Sequence, residues 1–408
     1  MDNALTIIFL LLSSKGSFLY NSNMAWVVII AGYLAVGFKF KRFTYYDLKI
    51  VTNFAAVYLT LMVFRYLFLN HLPLRYLLTD VVFLVKYLFV CFLYCALLKD
   101  RAMIYIVKVI AWGAAISIPF YFLQLVAGPQ MLAFGKKLHL ASDIEGYTNF
   151  LVFTYVEGHA IRNCGFVWEP GAYGCFLNLA FMVNIVQNNF VFDNKCKWIT
   201  AAVITTLSTT TYLAFLINIL LYYRGNGGKM TTLVFVAGPA MLLLSVKLPF
   251  LVQKIEHIYV HDMNDIENIQ FLSDFYLENG GELPLNRFSS AVYIYDLFGI
   301  QLLWGVSNPY QDTIQILKNI NISNGIIDFC AKFGAVGLVY NLYLYAKFFY
   351  TYRLRTELVF YCIIVILFLS FGEPILILPV SLLFLFINDY VDAPIYEENV
   401  DLEDLKFA

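Results

Sequence analysis

The segment with the greatest chemical potential is Arg162-Asn163-Cys164-Gly165-Phe166-Val167-Trp168-Glu169-Pro170-Gly171-Ala172-Tyr173-Gly174, where a polar stretch enters a long apolar one. Arg162 offers a planar fork of donors that matches the oxygens of a phosphate. Glu169 can act as a general base or hold the arginine in place, and Pro170 suits the first turn of a helix. The simpler alternative is an Arg162–Glu169 ion pair that only fastens the loop to the helix. Arg287 heads a second stretch, Arg287-Phe288-Ser289-Ser290, running through Gly299 to Trp304-Gly305-Val306. Trp168, Tyr173, Tyr293, Tyr295, Trp304 and Tyr310 lie close to these stretches and could present aromatic faces to a sugar. Membrane-interface belts account for many of the chain's other aromatic residues.

The elements that must position these residues follow from composition. Of 408 residues, 61% are hydrophobic and only 13% are charged, where a soluble domain carries about 25% charged residues. Mean hydropathy is +0.72. A water-soluble fold could not hide that much apolar surface. Backbone groups in lipid must be satisfied within the segment, and the alternating pattern of a barrel is absent, so an all-α polytopic membrane protein of roughly 10–12 helices is expected. A net charge of −1 gives no reason to expect a nucleic-acid partner.

The predicted spans are 4–14, 24–38, 51–70, 80–98, 103–127, 172–190, 198–223, 231–252, 326–350 and 358–387. The 4–12 run lacks a basic leader and an A-x-A cleavage site and reads as a short first membrane helix. The basic connections are Lys39, Lys41, Arg42 and Lys49, then Lys99 with Arg101, Lys195 with Lys197, Arg224 with Lys229, and Arg353 with Arg355. All five face the cytoplasm only if 198–223 and 358–387 are each hairpins of two short helices. Ser208-Thr209-Thr210-Thr211 and Gly372-Glu373-Pro374 are the expected breaks. A single tilted helix over 198–223 is the alternative.

This divides the chain into N-terminal membrane helices (1–127), an extracytoplasmic loop (128–171), central helices (172–252), a large extracytoplasmic loop (253–323), C-terminal helices (324–387) and an acidic cytoplasmic tail (388–408). Within the large loop, acidic and apolar residues interleave over 259–281, as in an amphipathic helix on the membrane surface or over a cavity.

Other candidates are weaker. Glu373 is a carboxylate inside an apolar span, a functional hypothesis by default, or else a residue at an exposed hairpin tip. His257 and His261 have the spacing of two ligands on one helical face, but no third ligand accompanies them, so no metal site is expected. His71, His139 and His159 have no evident partner and read as solvated loop residues; Lys136 and Lys137 read as part of a loop's aqueous face. The cysteines, among them Cys91, Cys95, Cys175, Cys330 and Cys362, show no CxxC or metal-type grouping and read as packing residues. No Gly-rich nucleotide loop is visible, and no cofactor is expected.

Taken together, the motifs resemble the O-antigen polymerase and ligase superfamily. Arg162, Gly165, Glu169 and Pro170 form an R-x-x-G-x-x-x-E-P pattern followed by a small-residue helix. Thr205-Thr206-Leu207-Ser208-Thr209-Thr210-Thr211 is similar to its T-x-S-R-G step, without the arginine. The Arg287-to-Val306 stretch resembles its R…G-x-G region. Ser323-Asn324-Gly325-Ile326-Ile327-Asp328 followed by Phe333-Gly334-Ala335-Val336-Gly337-Leu338 resembles its H-N-x-x-L…G-x-x-G-L entry into the next helix. Ser323 stands where the ligases place histidine, which favours a Wzy-type repeat-unit polymerase over a lipid A-core ligase. Arg162 precedes Gly174, and Arg287 precedes Gly299, by the same interval, similar to the paired arginine–glycine motifs of such polymerases or a coincidence.

The resemblance implies a metal-independent, GT-C-like glycosyltransferase of the bacterial inner membrane with its site facing the periplasm or cell exterior. Such an enzyme moves a growing glycan from undecaprenyl pyrophosphate to a lipid-linked repeat unit, beside a chain-length regulator in the same membrane. Arg162, Arg287 and Glu169 would then be the catalytic residues, with Trp168, Tyr173, Trp304, Ser323 and Asn324 around the substrate. The alternatives are an O-antigen ligase, or a transporter of lipid-linked oligosaccharide. A transporter of that kind usually shows two similar halves, and none are visible here.

Overall fold

A computed structural model describes residues 1–70, 73–138, 146–228, 266–278 and 283–391. The chain is an all-α membrane protein. Among the described residues, three helical stretches are long and apolar enough to cross a membrane: Tyr45–Phe68, Leu74–Lys137 and Gly325–Thr351. Three shorter apolar helices, Asp2–Ser13, Asn23–Lys39 and Thr356–Gly372, accompany them. The predicted span 231–252, the pair His257 and His261, and His71 and His139 lie outside the described residues.

In chain order the first helices are α1 (Asp2–Ser13), α2 (Phe18–Asn21), α3 (Asn23–Lys39), α4 (Tyr45–Phe64), α5 (Leu74–Phe83), α6 (Phe89–Leu98) and α7 (Ala102–Lys137). The 64-residue stretch Leu74–Lys137 is broken at Lys99, whose φ of 53° and ψ of −133° end α6. The sequence placed the end of α7 at residue 127. Instead Ala127 is a kink and Pro129 carries the helix on to Lys137, so Lys136 and Lys137 lie in its last turn rather than in a loop.

Next come β1 (Tyr147–Asn149), β2 (Thr154–Val156), α8 (Pro170–Gln187), α9 (Asn194–Thr206) and α10 (Thr209–Gly225). Both expected hairpins form. Leu207 adopts a left-handed conformation between α9 and α10. Phe192, before α9, meets Tyr222 near the far end of α10, with ring centroids 5.9 Å apart, so the chain rises and returns. The second hairpin begins with α14 (Thr356–Gly372), breaks at the extended Glu373, and comes back through α15 (Pro379–Leu382) and α16 (Phe384–Ile387). Its return leg descends beside α13 (Gly325–Thr351): Tyr345 donates to the Ser381 carbonyl and Asn388 to that of Leu344.

The basic connections gather at one end. Arg42 pairs with Asp2 at 2.9 Å, Lys99 with Asp47, and Arg224 with Glu357 at 2.8 Å, while Arg355 donates to the Arg224 carbonyl. Both hairpin turns lie at the opposite end. The core between them is aromatic and aliphatic, with Phe9, Tyr94, Tyr173, Phe176, Phe181, Tyr345 and Phe348 fully buried. All seven cysteines are unpaired and buried, in the packing role expected of them.

Over the hairpin end sits a small unit of α11 (Ile269–Glu278), β3 (Leu283–Leu285), α12 (Arg287–Phe298) and β4 (Ile320–Ile322). Parallel pairing of Leu283 with Ile320 and of Leu285 with Ile322 closes it around Ile294, Tyr310 and Leu317. The sequence suggested a surface or cavity-capping helix over 259–281. Of its described part, Ile266, Ile269, Leu272 and Tyr276 pack onto this unit's own core, while Phe271 and Phe275 face outward.

A buried ion pair anchors the unit. Arg65 and Asp80 meet at 2.9 Å, Asn308 N–H donates to the same carboxylate, and Arg65 also donates to the Lys332 carbonyl. Close to it the Leu303–Gly305 backbone crosses α13 at Gly334, whose φ is 83°. A Cβ there would stand 2.5 Å from the Leu303 carbonyl oxygen and 2.5 Å from the Trp304 carbonyl carbon. Gly334→Ala adds left-handed strain of about 1–3 kcal/mol to a backbone clash, so thermal unfolding in detergent should occur at a clearly lower temperature. Gly337→Ala should shift it far less, because its backbone is not left-handed and its nearest neighbour, Phe333 Cβ, would stand at 3.2 Å.

Candidate functional site

The site assembles where the two hairpin turns meet the start of α8. The Arg162 loop is held from below by a buried polar cluster. Asn163 Nδ2 donates to Ser117 Oγ (3.1 Å) and Thr205 Oγ1 (2.9 Å), its N–H donates to the Thr205 carbonyl (3.0 Å), and its Oδ1 receives the Gly165 N–H (2.8 Å). The loop then stands on the last turn of α9, and Arg162 Nε donates to the Thr206 carbonyl at 3.1 Å. The two terminal nitrogens of Arg162 make no hydrogen bond or ion pair among the described residues. In particular Arg162 does not pair with Glu169, so the simple loop-to-helix ion pair is not formed.

Arg287 has the matching arrangement on the second hairpin. Its Nε and Nη2 donate to the Gly372 carbonyl, the last residue of α14, at 3.1 and 2.9 Å. Nη2 also lies 3.7 Å from Glu373 Oε1. Helix C-terminal carbonyls lack intrahelical donors and carry partial negative charge, so each arginine is fixed by the end of a broken membrane helix. The two ends are neighbours: a Cβ at Gly372 would lie 3.1 Å from the Thr210 side chain, in the first turn of α10. Ser208, the N-cap of α10, makes no side-chain cap. The arginines therefore bracket a helix N-terminus whose first N–H groups lack a capping side chain.

Glu169 is the N-cap of α8 and receives Trp168 Nε1 at 2.7 Å. Its second neighbour is Glu373, which is buried and hydrogen-bonded to Glu169 in the turn beyond α14. Arg287 and Lys15 are cations close enough to act on Glu373. Two carboxyls in such contact are held together by one shared proton. Gly171 makes room for this contact, since a Cβ there would lie 2.2 Å from Glu373 Oε1.

Two more groups belong to the site. Lys15, in a left-handed turn after α1, places Nζ 5.5 Å from the centre of the Trp168 ring. His159 is not simply solvated: burial and the Arg162 guanidinium push its imidazole below the ordinary range, so it is neutral near pH 7. Neither stood out in the sequence, because Lys15 is a lone charge in a short turn and His159 has no motif around it. Glu373 drew attention only as a carboxylate in an apolar span.

Several sequence-predicted site residues have other places. Tyr173 is fully buried under Gly165, with its hydroxyl on Ser117 Oγ at 3.1 Å, and faces packing rather than substrate. Ser323 donates to the Leu285 carbonyl at 2.7 Å, and Asn324 caps α13 while donating to the Arg287 carbonyl at 3.0 Å. Both position Arg287 rather than face a ligand. Trp304 lies apart from the charged cluster, on the wall of a groove shared with Arg65 and Phe333. Of the other aromatics, Tyr310 is wholly buried with its hydroxyl on Asp328, and Tyr295 is exposed.

The two arginine–glycine intervals have unrelated causes. Gly174 lets α10 approach, since a Cβ would fall 1.9 Å from Thr211 Oγ1, whereas Gly299 ends α12 at φ 48° in open space. Among the described residues, no group of three or more His, Cys, Asp or Glu is arranged to hold a metal ion. No family model matches the chain, and no curated protein or solved structure matches it either.

Proposed function

We propose that this chain is a membrane glycosyltransferase that polymerises undecaprenyl-pyrophosphate-linked oligosaccharide repeat units into a surface polysaccharide. Carrying the reading is the bracket formed by Arg162 and Arg287, each moored through Nε to the final carbonyl of a broken helix and each keeping a terminal nitrogen without a partner among the described residues. A pyrophosphate leaving group needs fixed positive charge of this kind, and the uncapped α10 N-terminus between the arginines adds to it. Lys15 brings a third cation within range of the carboxyl pair.

The depth of the site suits a lipid-linked donor. The helices that end at it are short: α9 has 13 residues and α14 has 17. At 1.5 Å per residue these span about 20 and 26 Å, less than the roughly 30 Å of a hydrocarbon core. The charged cluster then lies below the outer surface, beside longer helices such as α13, within reach of a headgroup that stays in its leaflet. The proposed scaffold is GT-C-like, with roughly 10–12 passes and the site facing the periplasm or cell exterior of a bacterial inner membrane.

In the proposed reaction the acceptor sugar hydroxyl attacks the anomeric carbon of the donor and its proton passes to Glu169. The bond from that carbon to the pyrophosphate oxygen breaks with inversion, and the departing pyrophosphate takes up its charge against Arg162, Arg287 and Lys15. Trp168 donates to Glu169 and Glu373 lies against it, which together fix its orientation. A chain-length regulator is the expected protein partner.

The test is the glycan length profile of cells lacking the chain, followed by extension of a purified lipid-linked repeat unit without any ion gradient. Single repeats in the null and polymer from the purified protein are expected. Full-length surface glycan in the null would refute the reading.

A further inference from the structure

α7 carries a buried amide, Gln124, which is 3% exposed and lies between Pro119 and the kink at Ala127. Its Nε2 donates to the Ala160 carbonyl at 2.8 Å and to the Arg162 carbonyl at 3.0 Å, with the His159 carbonyl beside them at 3.4 Å. Tyr121, one turn earlier on the same face of the helix, donates through its hydroxyl to the Ile161 carbonyl at 3.3 Å. Four successive carbonyls of the arginine loop therefore turn toward α7. Among the described residues, those of Ala160, Ile161 and Arg162 meet no other donor.

Gln124 is committed to this contact. An amide nitrogen has two hydrogens, which the Ala160 and Arg162 carbonyls take, while its Oε1 is buried without a partner. An amide present only to fill space would have both ends paired or neither. Here only the donor end is served.

The contact acts on Arg162 through the backbone. Peptide units are planar, so the two that flank a Cα fix the direction in which its side chain leaves. The unit after Arg162 is bonded at both edges, its oxygen by Gln124 and its N–H by the Thr205 carbonyl at 3.0 Å. The unit before it is bonded likewise, its oxygen by Tyr121 and its N–H by the His159 carbonyl at 2.8 Å. With both planes held between α7 and the end of α9, Arg162 is aimed so that Nε meets the Thr206 carbonyl.

We propose that Gln124, with Tyr121 beside it, is the positioning residue of Arg162, an inference that rests on the reading of the charged cluster as a lipid pyrophosphate site. The test uses purified full-length protein in nanodiscs and Gln124→Met, a side chain of similar length with no N–H donor, alone and combined with Arg162→Ala. At saturating lipid-linked repeat unit, Gln124→Met should extend chains about 10²-fold more slowly, the scale of loss when a reacting group is displaced by an ångström. In the Arg162→Ala background the same change should cost no more than about twofold, because residues that act through one contact are not additive. Backbone hydrogen exchange over residues 159–165 should speed up at least about tenfold in Gln124→Met, as the loop opens locally. Val126→Met, on the exposed face of the same helix, should change neither rate. If Gln124→Met does not fold, Gln124→Asn, which keeps the amide but draws it back by one methylene, carries the same comparison.

Unchanged exchange over 159–165, or a loss of extension that is equally large with and without Arg162, would overturn the inference. The two readings fail separately. If exchange rises in Gln124→Met while Arg162→Ala extends chains at the wild-type rate, Gln124 still positions the loop and the pyrophosphate site falls. If Arg162→Ala stops extension while Gln124→Met changes neither rate, the site stands and the positioning role falls.

Discussion

Arg162→Ala is expected to reduce polymer formation about 10²–10³-fold, the usual loss when one fixed donor is withdrawn from a developing negative charge. Its Nε is already committed to the Thr206 carbonyl, so its contribution lies in the two terminal nitrogens left over. Arg162→Lys should recover little, because an ammonium that reaches Thr206 has no second arm for a phosphate. Arg287→Ala should lose as much, and it also frees the Gly372 carbonyl that closes the second hairpin. The readout is the rate of extension of a purified lipid-linked repeat unit, with elution profile and thermal unfolding recorded for each variant. A well-folded Arg162→Ala protein that extends chains at the wild-type rate would rule out the arginine bracket as the site of catalysis.

The carboxyl pair gives the second large effect. Glu169→Gln removes the proposed base and should slow extension by about 10²–10⁴-fold. Glu373→Gln keeps a hydrogen-bond donor toward Glu169 and should stay within about tenfold of wild type, whereas Glu373→Ala removes that donor and should behave like a base-deficient enzyme. Extension rates that fail to separate Glu373→Gln from Glu373→Ala would mean that Glu169 needs no donor from residue 373.

Much of the architecture was legible because lipid leaves few choices. Apolar length announced the helices, and the requirement that every basic connection share one side forced both hairpins, whose turns lie within or next to the steps read as breaks. The end of α7 was less legible: Gly128 and Pro129 read as a stop, but a proline after a kink occupies the first turn of a renewed helix. Glu169 and both arginines could be read from residue type and local spacing. The displaced candidates have two origins. Tyr173 and Trp304 were chosen for nearness to the motifs, Ser323 and Asn324 for their place within one, and helical periodicity and capping turned them toward the core, the backbone or the groove.

By itself, then, the sequence determined that the chain is a helical membrane protein, where two of its spans turn back as hairpins, and which residue types could meet a phosphate. Those properties depend on composition and local spacing, which a linear chain carries openly. Tertiary structure alone decided that Glu373 meets Glu169, that both arginines rest on the ends of broken helices, and that Lys15 joins them. Each of these contacts joins segments far apart in sequence, and their geometry exists only once the two hairpins pack side by side.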